Sequence, residues 1–329
     1  MAFAHEDDSG WLGVQDGDRG PFPRPLETSC LKGKVTSLSM TPSGWHAADP
    51  PQRPVLFVNP KSGGGKAERA GVAEHARERG IDVVEVRPDS NLQMLVDEAV
   101  MRGADALGIA GGDGSLAVVA AAARAHGLPF VCVPAGTRNH FALDLGVDRD
   151  DLVGSLEAFH EGVERLIDVA EVNGRLFLNN VSLGIYGDAV QHPAYRAAKA
   201  QTLLQTAAQV LGPSSAGGDL QLVDDRGRLY RHPAVVLVSN NPYALGPQPV
   251  SGTRPALDGG TLGVVVLDSP NLGQSPGRAW TVTRLEVTAP APIYAGIDGE
   301  AAELVPPLEF AIRPAALRVR ISARQALRA

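Results

Sequence analysis

Ala110 to Ser115 read AGGDGS and combine glycines with one carboxylate and one hydroxyl. They follow the apolar run ADALGIA and precede LAVVAAAARAHG, so we expect a strand to end and a helix to begin here. Glycines let backbone N–H groups approach phosphate oxygens, and a neighbouring aspartate suits Mg²⁺, which prefers oxygen ligands. The alternative is a turn in which Asp113 or Ser115 caps the helix. A cap does not need so many glycines, which favours a phosphate-binding loop.

Two other predicted strand ends carry unusual loops. NPKSGGGK, Asn59 to Lys66, lacks the Walker A spacing but offers glycines and lysines to phosphate, and a flexible turn is equally compatible. PAGTRNHFA presents Thr137, Arg138, Asn139 and His140, which could contact a nucleotide or, alternatively, cap a helix and pack. Ligands of open parallel sheets bind at the carboxyl ends of the strands. Three such loops on one sheet edge therefore predict a nucleotide site.

The segments around these loops alternate between strands and helices. PVLFVNP, IDVVEVRP, ADALGIA and PFVCVP predict strands, and the segments between them predict helices. This pattern indicates a parallel sheet covered by helices. After about Leu166, short apolar runs separated by turns such as Asn173-Gly174 indicate antiparallel sheet, interrupted by one helix at about Tyr195 to Leu211.

The predicted organisation has three parts. Residues 1–50, rich in Pro, Gly, Ser and Asp, are expected to be a disordered leader. Residues 51–165 form an α/β N-terminal domain with a parallel sheet, which binds nucleotide. Residues 166–329 form a C-terminal all-β antiparallel sandwich domain for the substrate, with the last segment returning to the first domain.

The bulk composition excludes several classes of protein. A formal net charge of −7 argues against broad electrostatic attraction to nucleic acid or anionic membranes. The two cysteines, Cys30 and Cys132, form neither a disulfide framework nor a metal-spaced cluster. Neither a membrane-spanning run nor a signal peptide is evident, so we expect a cytoplasmic protein that contacts the inner membrane face only peripherally.

The motifs NPKSGGGK, GGDGS, PAGTRNHFA, NNVSLGIYG and GIDGEA, in this order, resemble those of the diacylglycerol-kinase catalytic family of lipid kinases. That family includes sphingosine and ceramide kinases and bacterial members, and the resemblance extends from about Pro54 to Ser322. Related G-G-D-G signatures occur in NAD kinases and 6-phosphofructokinases, which share the N-terminal architecture. The resemblance thus implies an NAD kinase/diacylglycerol kinase-like first domain.

The resemblance also implies a role for each motif. The ATP site would comprise Asn59, Pro60, Lys61, Ser62, Gly63, Gly64, Gly65, Gly111, Gly112, Asp113, Gly114, Ser115, Thr137 and Asn139. In RPALDGGTLGV, the Asp258 carboxylate and main-chain oxygens near Pro255 and Gly260 would bind a structural Mg²⁺. Without the family, an Asp-Gly hairpin turn is the simpler interpretation of that segment.

GIDGEA supplies Asp298 and Glu300, the family's candidates for the base that accepts the proton of the lipid hydroxyl. An alcohol is a poor nucleophile, and a nearby carboxylate helps as its proton leaves. A surface turn with two solvated acids is the alternative. We favour Glu300 as the base and expect Asp113 to organise Mg·ATP at the catalytic centre.

The resemblance implies an ATP- and Mg²⁺-dependent kinase of a diacylglycerol-like or sphingoid lipid, with transient membrane-surface contact and no nucleic-acid partner. A homodimer is left open. Ser115 and Ala117 depart from the family's usual Thr and Asn. The helix near Arg196 and Lys199 could touch the membrane or pack as an ordinary amphipathic helix. The alternatives are an NAD-kinase-like kinase of a soluble substrate and a nucleotide-binding regulator without catalysis.

Overall fold

The computed structural model describes residues 44–184, 219–244, 253–267 and 278–327. The strands of the first half are β1 (His46–Ala47), β2 (Pro54–Val58), β3 (Asp82–Glu85), β4 (Ala106–Gly111) and β5 (Phe130–Pro134). Strands β5, β4, β2 and β3 lie side by side in this order and run parallel. β2, β4 and β5 are buried along their whole length, as expected of strands with helices on both faces.

Helices follow these strands. They are α1 (Ser62–Arg69), α2 (Val72–Glu78), α3 (Leu92–Met101), α4 (Asp113–Ala125), α5 (His140–Asp144) and α6 (Leu152–Ser155), which a 3-10 turn continues at Leu156–Phe159. The continuous helix expected after the first strand is divided at Gly71, whose φ of 59° is left-handed. α3 is capped by Asn91, whose side chain accepts a hydrogen bond from the Met94 N–H. α4 begins at the aspartate of AGGDGS, so this motif lies at a strand-to-helix junction as predicted.

The second half consists mainly of strands. They are β6 (Gly162–Val172), β7 (Arg175–Phe177), β8 (Asn180–Gly184), β9 (Gln221–Asp224), β10 (Leu229–Arg231), β11 (Val235–Asn240), β12 (Leu262–Leu267), β13 (Arg278–Val282), β14 (Arg284–Thr288), β15 (Ile293–Ile297), β16 (Glu300–Leu304) and β17 (Leu308–Ser322), with a closing helix α7 (Ala323–Ala326). Six of them form an antiparallel sheet in the order β13-β12-β11-β8-β15-β16. The predicted fold class, a parallel α/β half and an antiparallel β half, is confirmed.

β17, the longest of the described strands, joins the two halves. It pairs with β14 and β6 and, through Val319 and Phe130, runs parallel to β5, so one sheet of eleven strands extends through both halves. The β17–β6 register shifts between Arg313 and Leu317, where the Ala315 N–H donates to the Asp168 carboxylate. The domain boundary expected at residue 165 falls inside β6 and stays a prediction.

The core is aliphatic with a few phenylalanines. Neighbouring residues of β2 face opposite sides of the sheet: Phe57 packs in one buried cluster and Leu56 in another, which explains the uniform burial of this strand. A third cluster lies between the two sheets, where the Phe177 and Phe310 rings meet edge to face at 6.3 Å. Each fully buried ring contributes about 2 kcal/mol by removal from water.

The expected disordered leader, residues 1–50, lies outside the described residues as far as residue 43. Residues 44–50 contradict this expectation, because Trp45 is only 2% exposed and β1 pairs with β6. The Arg320 guanidinium, near the other end of the chain, donates to the Asp49 carbonyl at 3.0 Å. Local composition could not reveal this order, since the residues that anchor the segment are distant in sequence.

The helix expected at about Tyr195 to Leu211 lies outside the described residues. Among the helices that are described, none is both long and apolar enough to span a bilayer.

Cys132 is a buried free thiol in the apolar strand β5.

Candidate functional site

The loops that follow β2, β4 and β5 open onto one cavity of about 540 Å³, which the turn between β15 and β16 also lines. Its lining residues are Asn59, Ser62, Gly63, Gly112, Asp113, Gly114, Ser115, Gly136, Thr137, Arg138, Asp298, Gly299, Glu300 and Ala301. The three loops identified in the sequence therefore meet at one edge of the parallel sheet, and the GIDGEA motif meets them there.

The first loop extends into the bounds of α1, because Gly63–Gly65 break the helix there with left-handed backbone angles, φ between 56° and 86°. Gly63 lies against the third loop, because a Cβ at this position would fall 2.4 Å from the Ala135 carbonyl oxygen. Any side chain here would push two backbones apart. Of the residues expected to bind nucleotide in this loop, Asn59, Ser62 and Gly63 line the cavity, whereas Pro60, Lys61, Gly64 and Gly65 are not among its described lining residues.

Lys66, the second lysine that this motif offers to phosphate, is bonded elsewhere. Its Nζ donates to the Arg149 carbonyl at 2.5 Å and lies 3.6 Å from the Asp150 carboxylate. Backbone rather than lysine therefore faces the cavity in this loop.

The second loop leads into α4 without a side-chain cap. Its N-cap residue is Gly112, and the residues of the first turn, from Asp113 to Ser115, line the cavity. Ser115 Oγ donates to the Gly112 carbonyl at 2.9 Å instead of capping the helix. Gly111 ends β4 in the core. The N-terminus of a helix of 13 residues, partially positive and uncapped, thus adjoins the cavity.

The third loop is held in place by Asn139. This buried residue has a left-handed φ of 54°, and its amide donates to the carbonyls of Pro134 and Gly136 at 2.9 Å each. Gly136 touches the second loop, since a Cβ on it would fall 2.6 Å from Gly112 Cα. Asn139 therefore shapes the loop, whereas Thr137 and Arg138 line the cavity.

Asp298 and Gly299 form the two-residue turn between β15 and β16. Both have positive φ, 49° and 88°, as a type I′ hairpin requires. The Asp298 carboxylate accepts hydrogen bonds from three successive backbone N–H groups, those of Leu178, Asn179 and Asn180, at 2.9, 2.7 and 3.1 Å. Burial raises the pKa of Asp298 to about 7, opposed by these bonds and assisted by the charge of Asp113. A fixed carboxylate that titrates near neutrality thus lines the cavity.

Glu300 behaves differently from Asp298, although both belong to GIDGEA. It is the first residue of β16, is exposed, and forms no hydrogen bond or ion pair within the described parts of the chain. Its carboxylate lies against Gly114, where a Cβ would fall 1.8 Å from Oε1. The two carboxylates therefore contact different parts of the fold: that of Asp298 the backbone leading into β8, and that of Glu300 the first turn of α4.

A relay of buried polar groups supports Asp113. Asn179 donates through Nδ2 to Asp113 at 3.2 Å and accepts through Oδ1 from the Arg254 guanidinium at 2.9 Å. Arg254, 3% exposed, is in turn paired with Asp144 at 2.7 Å. Burial raises the pKa of Asp113, and the Asn179 bond partly opposes that rise. The sequence alone assigned no role to Asn179, Arg254 and Asp144, although NNVSLGIYG contains the first and RPALDGGTLGV begins with the second.

His140 packs close to this aspartate. Burial lowers the pKa of His140, the charge of Asp113 acts in the opposite direction, and Arg138 reinforces the lowering. The neutral imidazole is therefore favoured beside Asp113.

The segment expected to bind a structural Mg²⁺ presents a different arrangement. The Asp258 carboxylate is paired with the Arg165 guanidinium at 2.6 Å, so a cation there would have to displace a cation already present. Within the described ranges, no group of three or more His, Cys, Asp or Glu side chains could hold a metal ion. In this arrangement an arginine therefore occupies the Asp258 carboxylate, and the assignment of Mg²⁺ to Asp258, Pro255 and Gly260 stays a prediction.

Comparisons with known proteins agree on one family. A model of the diacylglycerol kinase catalytic domain matches residues 53–172. A Pseudomonas aeruginosa PAO1 protein named "Probable lipid kinase YegS-like" is 30% identical over 292 residues, 82% of this chain and 94% of that protein. A diacylglycerol kinase of Bacillus subtilis 168 is 39% identical over 84 residues, 25% of this chain and 28% of that protein.

The fold has a solved counterpart. The crystal structure of a diacylglycerol kinase from Bacillus anthracis Sterne superposes with a TM-score of 0.59 at 16% identity and covers 83% of this chain and 98% of that one. At this identity the likeness concerns the fold alone.

Proposed function

Because the chain belongs to the diacylglycerol kinase catalytic-domain family, we propose that it transfers the γ-phosphoryl group of Mg²⁺-bound ATP to the hydroxyl of a diacylglycerol-like or sphingoid lipid. One observation carries the proposal: an uncapped, glycine-lined helix N-terminus and the fixed carboxylate of Asp298 adjoin the same cavity. The first suits the phosphates of a nucleotide, and the second suits the proton of an alcohol.

The glycine loops fit a nucleotide because Gly63, Gly112, Gly114 and Gly136 bring backbone to the cavity wall. A Cβ at Gly63 or Gly136 would collide with backbone atoms of a neighbouring loop. Phosphate oxygens would be bound by N–H groups of the first turn of α4. The Asp113 carboxylate fits Mg²⁺, since it is desolvated and has no ion-pair partner within the described residues. Bound Mg²⁺ would neutralise charge on the phosphates as they react.

We assign the role of base to Asp298 rather than to Glu300, which the sequence favoured. Three backbone N–H groups fix the orientation of the Asp298 carboxylate. A carboxylate offers about four acceptor positions, so one remains for a substrate hydroxyl. A pKa of about 7 lets this group accept a proton near neutral pH. Glu300 is the second candidate, because it is accessible but not held.

In the proposed transfer, every bond that breaks, every bond that forms and the proton are accounted for. The bond between the γ-phosphorus and the ADP oxygen breaks, a bond to the lipid oxygen forms, and the hydroxyl proton passes to Asp298. A diacylglycerol-like or sphingoid acceptor resides in a bilayer, so the proposal includes transient contact between the protein and a membrane surface.

The test supplies purified protein with ATP carrying a labelled γ-phosphate, Mg²⁺ and total lipid extract, and identifies the labelled product by mass. We expect labelled lipid, the amount of which Asp298→Asn and Asp113→Ala strongly reduce. Label on NAD, a nucleotide or a sugar instead would support the soluble-substrate kinase. Nucleotide binding without transfer to any acceptor would support the non-catalytic regulator.

A further inference from the structure

We propose that the guanidinium of Arg138 binds the phosphoryl group during its transfer. This inference rests on the proposed function, because it assigns a catalytic contact within the same cavity. Arg138 is the one cationic side chain among the described residues that line the cavity, and it shares that lining with the carboxylates of Asp113, Asp298 and Glu300. A nucleotide phosphate entering this acidic surrounding requires a cation beside it.

The backbone on both sides of Arg138 is fixed. Gly136 packs against Gly112 of the second loop, and the Asn139 side chain bonds back to Pro134 and Gly136. The loop therefore cannot move Arg138 away from the cavity without breaking buried hydrogen bonds. The fixed backbone thus keeps the Arg138 side chain within reach of the cavity, as a group that contacts a transition state needs.

The guanidinium lies across the turn that carries the acceptor-side carboxylate. A Cβ on Gly299 would fall 3.2 Å from Arg138 Nη2 and 3.4 Å from Nη1. The two nitrogens thus lie side by side over the residue that follows Asp298. This position lies between the nucleotide loops, to which Arg138 belongs, and the acceptor side of the cavity.

The donors of Arg138 have no partner in the part of the chain that the structure describes. Within the described residues its half-buried side chain forms neither an ion pair nor a hydrogen bond, although carboxylates line the same cavity. By contrast, Arg254 and Arg320 are buried in pairs with Asp144 and Glu164. A guanidinium carries N–H groups in a planar fork that matches two phosphate oxygens at once.

The role follows from this geometry. In phosphoryl transfer, charge spreads over the three non-bridging oxygens while the bond to ADP breaks and the bond to the lipid oxygen forms. Arg138 donates two hydrogen bonds to these oxygens and keeps its proton throughout, since Asp298 accepts the proton of the hydroxyl. The cation also offsets the repulsion between the phosphates and the neighbouring carboxylates.

The test compares Arg138→Ala and Arg138→Lys with Arg231→Ala. Arg231 is an exposed arginine of β10, which three strands separate from β5 in the sheet. We expect Arg138→Ala to lower kcat on lipid roughly 100- to 1,000-fold, Arg138→Lys to restore only part of the loss, and Arg231→Ala to change nothing. Calorimetry should show Arg138→Ala binding β,γ-imido-ATP with Mg²⁺ about tenfold more weakly while ADP affinity is unchanged.

The binding measurement separates this inference from the proposed function. If the wild type labels no lipid and Arg138→Ala still weakens imido-ATP selectively, Arg138 binds the γ-phosphate and the lipid-kinase proposal fails. Equal losses for ADP and imido-ATP, or a change confined to the KM for lipid, would overturn the inference. A folded Arg138→Ala variant whose kcat stays within threefold of the wild-type value would also overturn the inference.

Discussion

The Glu300 carboxylate occupies the space beside Gly114, so that a Cβ on this glycine would fall 1.8 Å from Glu300 Oε1. The contact joins the first turn of α4 to the first residue of β16. Residue 114 therefore determines where Glu300 can lie, and the nucleotide loop and the GIDGEA motif are packed against each other without an intervening side chain.

Gly114→Ala should separate activity from stability. Alanine favours a helix over glycine by up to about 1 kcal/mol, so we expect Tm to stay the same or rise. The new methyl group displaces Glu300, and we expect kcat/KM to fall severalfold, less than roughly 1.4 kcal/mol of transition-state stabilisation. Combining Gly114→Ala with Glu300→Ala provides the control. In the Glu300→Ala background the methyl group has no carboxylate to displace. A double variant less active than Glu300→Ala alone would contradict the explanation.

Asp298→Asn and Glu300→Gln should differ in stability as well as in rate. An asparagine cannot accept from all three N–H groups of Leu178 to Asn180, because one of its side-chain positions is itself a donor. We expect Asp298→Asn to lower the free energy of unfolding by about 1–3 kcal/mol, as a buried donor loses its acceptor. Urea denaturation should show no such loss for the exposed Glu300→Gln.

In kinetic terms, Asp298→Asn should lower kcat by roughly 100- to 10,000-fold, the range attributed to a general base. Glu300→Gln should lower it by less than tenfold. The reverse order of the two variants would assign the base to Glu300.

The rate should depend on pH through Asp298. With a pKa of about 7, this carboxylate is protonated and unable to accept a proton at lower pH, so kcat/KM should rise with pH and level off above about 7. Rates measured from pH 5.5 to 8.5 check this. The residual activity of Asp298→Asn should lack this rise of kcat/KM with pH, and Glu300→Gln should retain it. Loss of the rise in Glu300→Gln alone would refute the assignment of the base to Asp298.

Stability should change with pH in the opposite sense. The pKa of Asp298 is raised from 3.8 to about 7, so the folded state binds more protons than the unfolded state between these values. The free energy of unfolding therefore falls as pH rises across this interval, by at most about 1.4 kcal/mol per unit from this group. Denaturation curves at pH 5 and 7 should show a smaller decrease for Asp298→Asn. The pKa of Asp113 is also raised, so in Asp298→Asn this residue still contributes to the decrease in the free energy of unfolding.

Asn179 should tune metal-nucleotide binding. It links Asp113 to Arg254, and loss of such a supporting hydrogen bond typically costs 10- to 100-fold in metal affinity. We expect Asn179→Ala to weaken calorimetric binding of Mg·ADP about tenfold and to leave metal-free ADP unaffected. Asn173→Ala, at the exposed turn before β7, serves as the matched control. Equal weakening with and without Mg²⁺ would show that Asn179 acts on the nucleotide directly.

Much of the nucleotide side of the cavity could be predicted from sequence. Strands such as Pro54–Val58 and Ala106–Gly111 are short, apolar and followed by glycine loops, and parallel strands place such loops at one edge. The position of Asp113 at the start of a helix follows from local pattern alone. Local rules succeed here because each loop is adjacent in sequence to the strand that positions it.

The acceptor side could not be predicted in the same way. The orientation of Asp298 depends on N–H groups about 120 residues earlier, and the buried Arg254 finds Asp144 across 110 residues. Neither hydrophobic periodicity nor motif spacing in a sequence indicates which distant backbone N–H groups a carboxylate will accept from. The order of residues 44–50 was missed for the same reason, since β1 pairs with the distant β6 and the Asp49 carbonyl accepts from Arg320.

The pairing of β17 with β5 has a consequence for how the protein is made. β5, complete by residue 134, has β4 on one side and β17 on the other, and β17 begins only at residue 308. While the chain emerges from the ribosome, β5 therefore presents an unpaired strand edge until β17 has been synthesised. The parallel strands that are made early thus acquire their last neighbour only when β17 is made.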